Sequence, residues 1–302
     1  MSGFEPYVPE DFDAFWLEAA EQARQAPLDF RRSVGAPYTW SDFRVETIQF
    51  RGMGGYELHG WLAYPPGARR LPSFLWIPPY GQESSLPNEY TTRPGFVSFS
   101  FNFHGHPAFH QEEYTPLRGY FSVGAADPHT WIFRTMLQNV LIALRLLQAL
   151  PEVEENAIGA MGLSQGGGMA IWAGAWSPIV KAVCADLPFL GAARQSIKAA
   201  AHRYPPKELV DFMKSEFLGE EKVMYTLAYY DTMNHATRCR VPTLVSSGKA
   251  DPAVRPQAVQ AIYDALPGPK RWIQYETGHD WNPDMVRNNQ AWLEHYLLGK
   301  PF

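Results

Sequence analysis

The chain has 302 residues, 46% hydrophobic and 19% charged, a globular composition long enough to bury a large core. Its net charge of −5 excludes the broad basic surface that nucleic acid or anionic lipid would require. No run of about 18 or more apolar residues is present to span a membrane.

From the N-terminus, MSGFEPYVPEDFDAFW is acidic and broken by prolines, without the basic lead-in of a secretory signal. A helix is predicted over DFDAFWLEAAEQARQ, then a proline-punctuated connection, so about the first forty residues read as a helical extension. Phe43–Phe50 and Leu58–Tyr64 read as two strands around the turn Gly52–Gly55. Ser73–Pro78 and Phe96–Phe103 are short apolar, aromatic-rich runs suited to strands buried on both faces. Leu137, Val140, Leu141, Leu144 and Leu147 fall at helical spacing, and Pro151 closes that helix. A glycine-rich strand–turn–helix follows at Ala157–Ala170, then strands at Val180–Leu187, Val241–Gly248 and Arg271–Glu276, and a last helix at Asn289–Leu298.

Strands alternating with helices imply an α/β fold, a mainly parallel sheet with helices on both faces, here with an antiparallel edge from the early strand pair. The alternation is interrupted over about residues 189–240 by a helical pattern without a strand. An insertion there sits at the strand C-terminal edge, where ligands bind, and reads as a cap on a single domain spanning 1–302. Cys184 and Cys239 are too few for a disulfide framework, and a reduced, cytoplasmic enzyme is expected.

AIGAMGLSQGGGMA could cradle a phosphate or present a nucleophile. A Walker loop needs a lysine that this turn lacks, and its glycines do not fit GxGxxG. Gly162-Leu163-Ser164-Gln165-Gly166 is GxSxG, the nucleophile elbow, set between a strand and a helix. A triad then requires an acid and a histidine downstream, in that order. Asp251 follows the strand ending at Gly248, and His279 follows the next strand one αβ unit later. Ser164, Asp251 and His279 are thus the expected catalytic groups, acting on an ester carbonyl. Asp186, at the end of the strand before the insertion, is the rival acid. The oxyanion hole is expected from the Gln165 N–H and from the loop Pro78-Pro79-Tyr80-Gly81-Gln82, where Tyr80 supplies the first available donor.

With these residues in place, the chain resembles the acetyl xylan esterase and cephalosporin C deacetylase family of carbohydrate esterases. The likeness rests on GLSQGG, DFDAFW, GWLAYP, LRGY, Asp127-Pro128 with the aromatic run to Arg134, ADLPFL, and the Asp251 and His279 loops, all in the family's order. It implies an α/β hydrolase that removes acetyl groups from small acetylated sugars, with Tyr80 and Gln165 forming the oxyanion hole. It also implies a homo-oligomer, since members are often hexamers. This chain has His104-Gly105-His106 where the family has arginine–glycine–glutamine, and His279-Asp280 where it has histidine–glutamate.

His104, His106 and Trp281 are candidate substrate contacts near the site mouth. His-x-His with His110, Glu112 and Glu113 nearby raises a metal site, but no HExxH or second cluster completes one, so neither metal nor cofactor is expected. The partner is then a small-molecule ester. Other readings are a lactone, amide or non-sugar ester hydrolase on this scaffold, or a catalytically silent binding protein.

Overall fold

The alternation of strand and helix resolves into one sheet. The computed structural model describes residues 4, 6–34, 42–81, 87–102, 120–200 and 202–302. Helix α1 (Phe12–Gln25) precedes strands β1 (Phe30–Val34), β2 (Arg44–Arg51), β3 (Glu57–Tyr64), β4 (Leu71–Ile77) and β5 (Val97–Phe101). Helix α2 (Ile132–Gln148), β6 (Val153–Leu163), α3 (Gln165–Trp176) and β7 (Val180–Asp186) follow. Four helices then run without a strand: α4 (Ala193–Ala199), α5 (Pro206–Ser215), α6 (Gly219–Tyr230) and α7 (Thr232–Ala236). The last elements are β8 (Thr243–Gly248), α8 (Pro256–Ala265), β9 (Lys270–Tyr275) and α9 (Pro283–Leu298). Among the described residues the strand order is β1-β2-β3-β5-β4-β6-β7-β8-β9. β1, β2, β3 and β5 pair antiparallel, and from β5 onward every neighbour is parallel.

A parallel sheet must be covered on both faces, and side-chain alternation along β4 does this directly. Phe74 and Trp76 pack with Trp292 and Leu293 of α9. Leu75 and Ile77 point the other way, into a core shared with Leu144 of α2 and Met169 of α3. Fully burying each such side chain contributes about 1.5–3 kcal/mol, so the uninterrupted apolar runs of the central strands supply much of the stability.

Two elements differ from their sequence signals. β1 lies in the stretch expected to be a connection. Its sequence, FRRSV, hides the strand because arginines occupy it, and Arg32 is held by Glu46 at 2.8 Å and Glu152 at 2.9 Å. Charged edge strands resist pairing with other chains but lack the alternation that betrays a strand. α9 begins at Pro283 rather than Asn289, because the Asn282 side chain accepts the Asp284 N–H at 2.8 Å and Pro283 occupies the first turn.

α1 docks on α3 and α7 through an aromatic cluster built around His235. Trp172 stacks on its ring at 4.4 Å, and Phe12 and Trp16 meet it edge-on. The Trp176 indole N–H donates to His235 Nδ1 at 2.9 Å, so the ring's proton sits on Nε2, which donates to the Tyr229 carbonyl at 3.2 Å. Only the neutral ring satisfies both bonds. Complete burial accordingly holds its pKa well below the ordinary 6.5.

His235 therefore contributes stability that is complete above pH 6.5 and is lost as pH falls below it, by about 1.4 kcal/mol per pH unit. Urea unfolding at pH 7.5 and 5.5 tests this: His235→Phe should lower stability at both, yet shrink the difference between them. An unchanged difference would contradict the assignment.

Candidate active site

Register brings the site together. Ile77 of β4 pairs with Gly162 of β6, and Leu163 with Asp186 of β7, so these strands end level at one edge of the sheet. There the chain reverses through Ser164, whose φ of 56° and ψ of −113° are costly for a residue with a Cβ. The Ser164 N–H donates to the Asp186 carbonyl at 2.8 Å and its own carbonyl accepts from Gly168 and Phe189, both at 3.1 Å, which hold the strained turn. The flanking glycines allow close approach. A Cβ on Gly166 would lie 1.9 Å from the Ile77 oxygen, and one on Gly162 would lie 2.5 Å from the same atom.

Three groups meet above this edge. His279 Nε2 lies 2.9 Å from Ser164 Oγ, and His279 Nδ1 lies 2.7 Å from Asp251 Oδ2. A carboxylate can only accept, so Nδ1 carries the proton and Nε2 is left to accept the serine hydroxyl. Asp251 is itself fixed: its Oδ1 accepts the N–H groups of Ala253 and Val254, both at 2.8 Å, and its side chain is fully buried. Asp186, the rival acid, lies elsewhere. Its oxygens accept from Ser246 Oγ at 2.5 Å and Asn289 Nδ2 at 2.7 Å. Burial raises its carboxyl above the usual range, opposed by those bonds and by the Arg93 guanidinium. It braces β7 against β8 and α9.

Ser164 and His279 open into a cavity of about 760 Å³. Tyr80 and Gln165 line it, as do Phe121, Phe189 and, from the α4–α5 region, Ile197 and Pro205. Gln165 is the first residue of α3, so its N–H has no intrahelical acceptor and the positive end of the helix dipole faces the same space. Trp281 also lines the cavity, leaning on Trp76 at 6.1 Å and on Tyr90 at 4.2 Å. His104 and His106, and His110, Glu112 and Glu113 with them, lie outside the described residues.

Sequence reading assigned no role to Tyr90, to Glu208 or to Tyr120, the last residue of LRGY. Glu208 accepts from Tyr80 Oη at 2.5 Å and from the Phe121 N–H at 2.9 Å, while Tyr120 Oη donates to Gln165 Oε1 at 2.8 Å. One signal pointed to Glu208: an acid directly before the apolar pair Leu209-Val210 of α5.

Known proteins agree with this architecture. The acetyl xylan esterase family (AXE1) matches residues 4–296. An acetyl esterase, Axe7A, from Xylanibacter ruminicola is 24% identical over 96% of this chain and 68% of that protein. An acetyl xylan esterase from Paenibacillus sp. R4 superposes with a TM-score of 0.87 at 27% identity, over 98% of both chains. Acetyl xylan esterase 1 from Thermoanaerobacterium sp. JW/SL YS485 has the same fold, with a TM-score of 0.83 at 23% identity over 96% of this chain and 95% of that one.

Among the described glycines the tightest steric demand is at Gly166. Gly166→Ala would force a methyl into the Ile77 carbonyl, and the displacement should destabilise the protein by about 3 kcal/mol or more. Thermal melting checks it; a variant that melts within a degree or two of wild type would show that the elbow has slack.

Proposed function

The chain belongs to the acetyl xylan esterase family and is a carboxylic ester hydrolase, and on that premise we propose that it removes acetyl groups from small acetylated saccharides through a serine acyl-enzyme. What carries the reading is the unbroken hydrogen-bond line from Asp251 through His279 to Ser164.

Ser164 Oγ attacks the acetyl carbonyl as its proton passes to His279 Nε2. The bond to carbonyl carbon forms and the carbonyl π pair moves to oxygen, where the N–H groups of Tyr80 and Gln165 receive it. The pair returns, the C–O bond to the alcohol breaks, and Nε2–H protonates the departing sugar oxygen. Water then attacks the acetyl-serine as Nε2 again takes the proton, the bond from the acetyl carbon to Ser164 Oγ breaks, Nε2–H returns its proton to Oγ, and acetate leaves. Asp251, held by two backbone N–H groups, cannot turn away and so keeps the imidazole in the tautomer that accepts from serine.

The α4–α7 segment acts as a cap on a single domain, and the cavity lining from Ala193 to Pro206 supports this. Trp281, with Tyr90 against it, is assigned to the alcohol side, and His104 and His106 are retained there from the sequence. Among the described residues no helix is long and apolar enough to cross a membrane. A homo-oligomer of cytoplasmic location, with a further capacity for cephalosporin C deacetylation, completes the reading. Exposed Phe217, Leu218 and Tyr225 around α6 suit a subunit contact.

A chromogenic acetate ester supplies the test. Ser164→Ala should lose at least about 10⁴-fold in kcat, and Asp251→Asn about 10⁴-fold, with Asp186→Asn affecting melting far more than kcat. Equal hydrolysis by wild type and Ser164→Ala would sink the serine mechanism. Acetate should be preferred to butyrate; faster turnover of longer acyl chains would refute the deacetylase assignment.

A further inference from the structure

We propose that Glu208, on α5, is a positioning residue for the oxyanion hole, setting both of its donors through one buried chain of contacts. The inference rests on the reading of Tyr80 and Gln165 as those donors.

The chain of contacts is continuous. Glu208, 7% exposed, accepts from Tyr80 Oη with one oxygen and from the Phe121 N–H with the other. The Tyr80 ring stacks on Tyr120 with centroids 4.6 Å apart and planes 17° from parallel. Tyr120 Oη accepts from the Gly81 N–H at 3.3 Å and donates to Gln165 Oε1 at 2.8 Å. One donor residue is thus held at its phenol by Glu208 and on its ring by Tyr120. The other is held at its side-chain amide by that same Tyr120.

Oxyanion stabilisation needs this constraint. Its worth depends on donors already aimed at the developing charge, so a loop that wanders by an ångström forfeits most of it. Pro78 and Pro79 stiffen the loop on the side entering Tyr80, since each ring restricts φ to about −65°. On the side leaving Tyr80, the Gly81 N–H bond to Tyr120 and the Glu208 grip on the phenol are the restraints. A carboxylate is also an expensive way to fill an apolar niche beside Leu209 and Val210, because burying it costs free energy that only good hydrogen bonds offset. Packing alone would favour leucine there. The two bonds that Glu208 makes both go to segments lining the cavity, which is where rigidity has a catalytic use.

The test measures kcat, KM and melting temperature on a chromogenic acetate ester, with active sites titrated, and affinity for a small boronic acid that forms a tetrahedral adduct with serine. Tyr80→Phe removes one oxygen, and Glu208→Leu removes the carboxylate. Each should lower kcat about ten-fold with KM within about two-fold, and weaken boronate binding in parallel. The double variant should be no worse than about two-fold below the singles, because both cut one link. Glu208→Gln should stay within about three-fold of wild type, since its amide oxygen can accept from Phe121 while its NH2 donates to Tyr80 Oη. Tyr80→Phe carries the test alone if Glu208→Leu does not fold.

Unchanged kcat in Tyr80→Phe, losses that multiply in the double variant, or an effect confined to KM or melting overturns the positioning role. Those outcomes beside a dead Ser164→Ala leave the serine mechanism intact. Undiminished hydrolysis by Ser164→Ala overturns the mechanism, and this inference with it.

Discussion

The packing of Gly166 against the end of β4 is the constraint on which the rest depends. With only a hydrogen where other residues carry a Cβ, the first turn of α3 comes against the Ile77 and Pro78 carbonyls. That approach decides three things at once. It sets the height of Ser164 above the sheet edge, aims the N-terminus of α3 at the cavity, and puts the Pro78–Gly81 loop beside the elbow. Hydrogen bonds to the Asp186 carbonyl and from the Phe189 N–H hold the unfavourable Ser164 backbone, so the surrounding fold over-determines the strain.

The two buried aspartates near this edge show how environment separates roles that residue type leaves open. Asp251 and Asp186 each follow or end a parallel strand, and each accepts two or more hydrogen bonds. Asp251 spends one oxygen on backbone N–H groups and leaves the other for His279, a partner that can become cationic. Asp186 gives both oxygens to neutral side chains. A carboxylate with a titratable neighbour can respond when charge develops next to it, whereas one enclosed by hydroxyl and amide serves to join strands to a helix.

The four-helix insertion is integrated with the sheet rather than simply laid over it. Asp231 caps α7 and also accepts the Ala193 N–H at the start of α4 at 2.7 Å, tying the two ends of the insertion together. His235 and its tryptophans bind α7 to α1 and α3. Glu208 reaches from α5 down to Tyr80 and Phe121. The insertion therefore shares hydrogen bonds with α3 and with the loop opposite, and the cavity walls are joined to the groups beneath them.

The order of strands and helices, the elbow motif, and an acid and a histidine after the right strands were legible in the sequence, because each is a local pattern. Buried parallel strands are apolar throughout, an elbow needs small residues at fixed offsets from the serine, and loops at strand ends follow from where strands stop. What escaped was whatever depends on partners far along the chain, and one local cap that stands outside the apolar periodicity. β1 carries its arginines to Glu46 and Glu152, so its edge position was invisible in FRRSV. The start of α9 rested on a cap made by Asn282 ahead of the apolar periodicity. By itself, then, the sequence determined the α/β layering and nominated Ser164, Asp251 and His279. Only the tertiary structure brought Asp251 rather than Asp186 within hydrogen-bond distance of His279, gave the imidazole its partners, and joined Glu208 to Tyr80. Those are matters of distance and hydrogen-bond direction between segments that periodicity and spacing cannot relate.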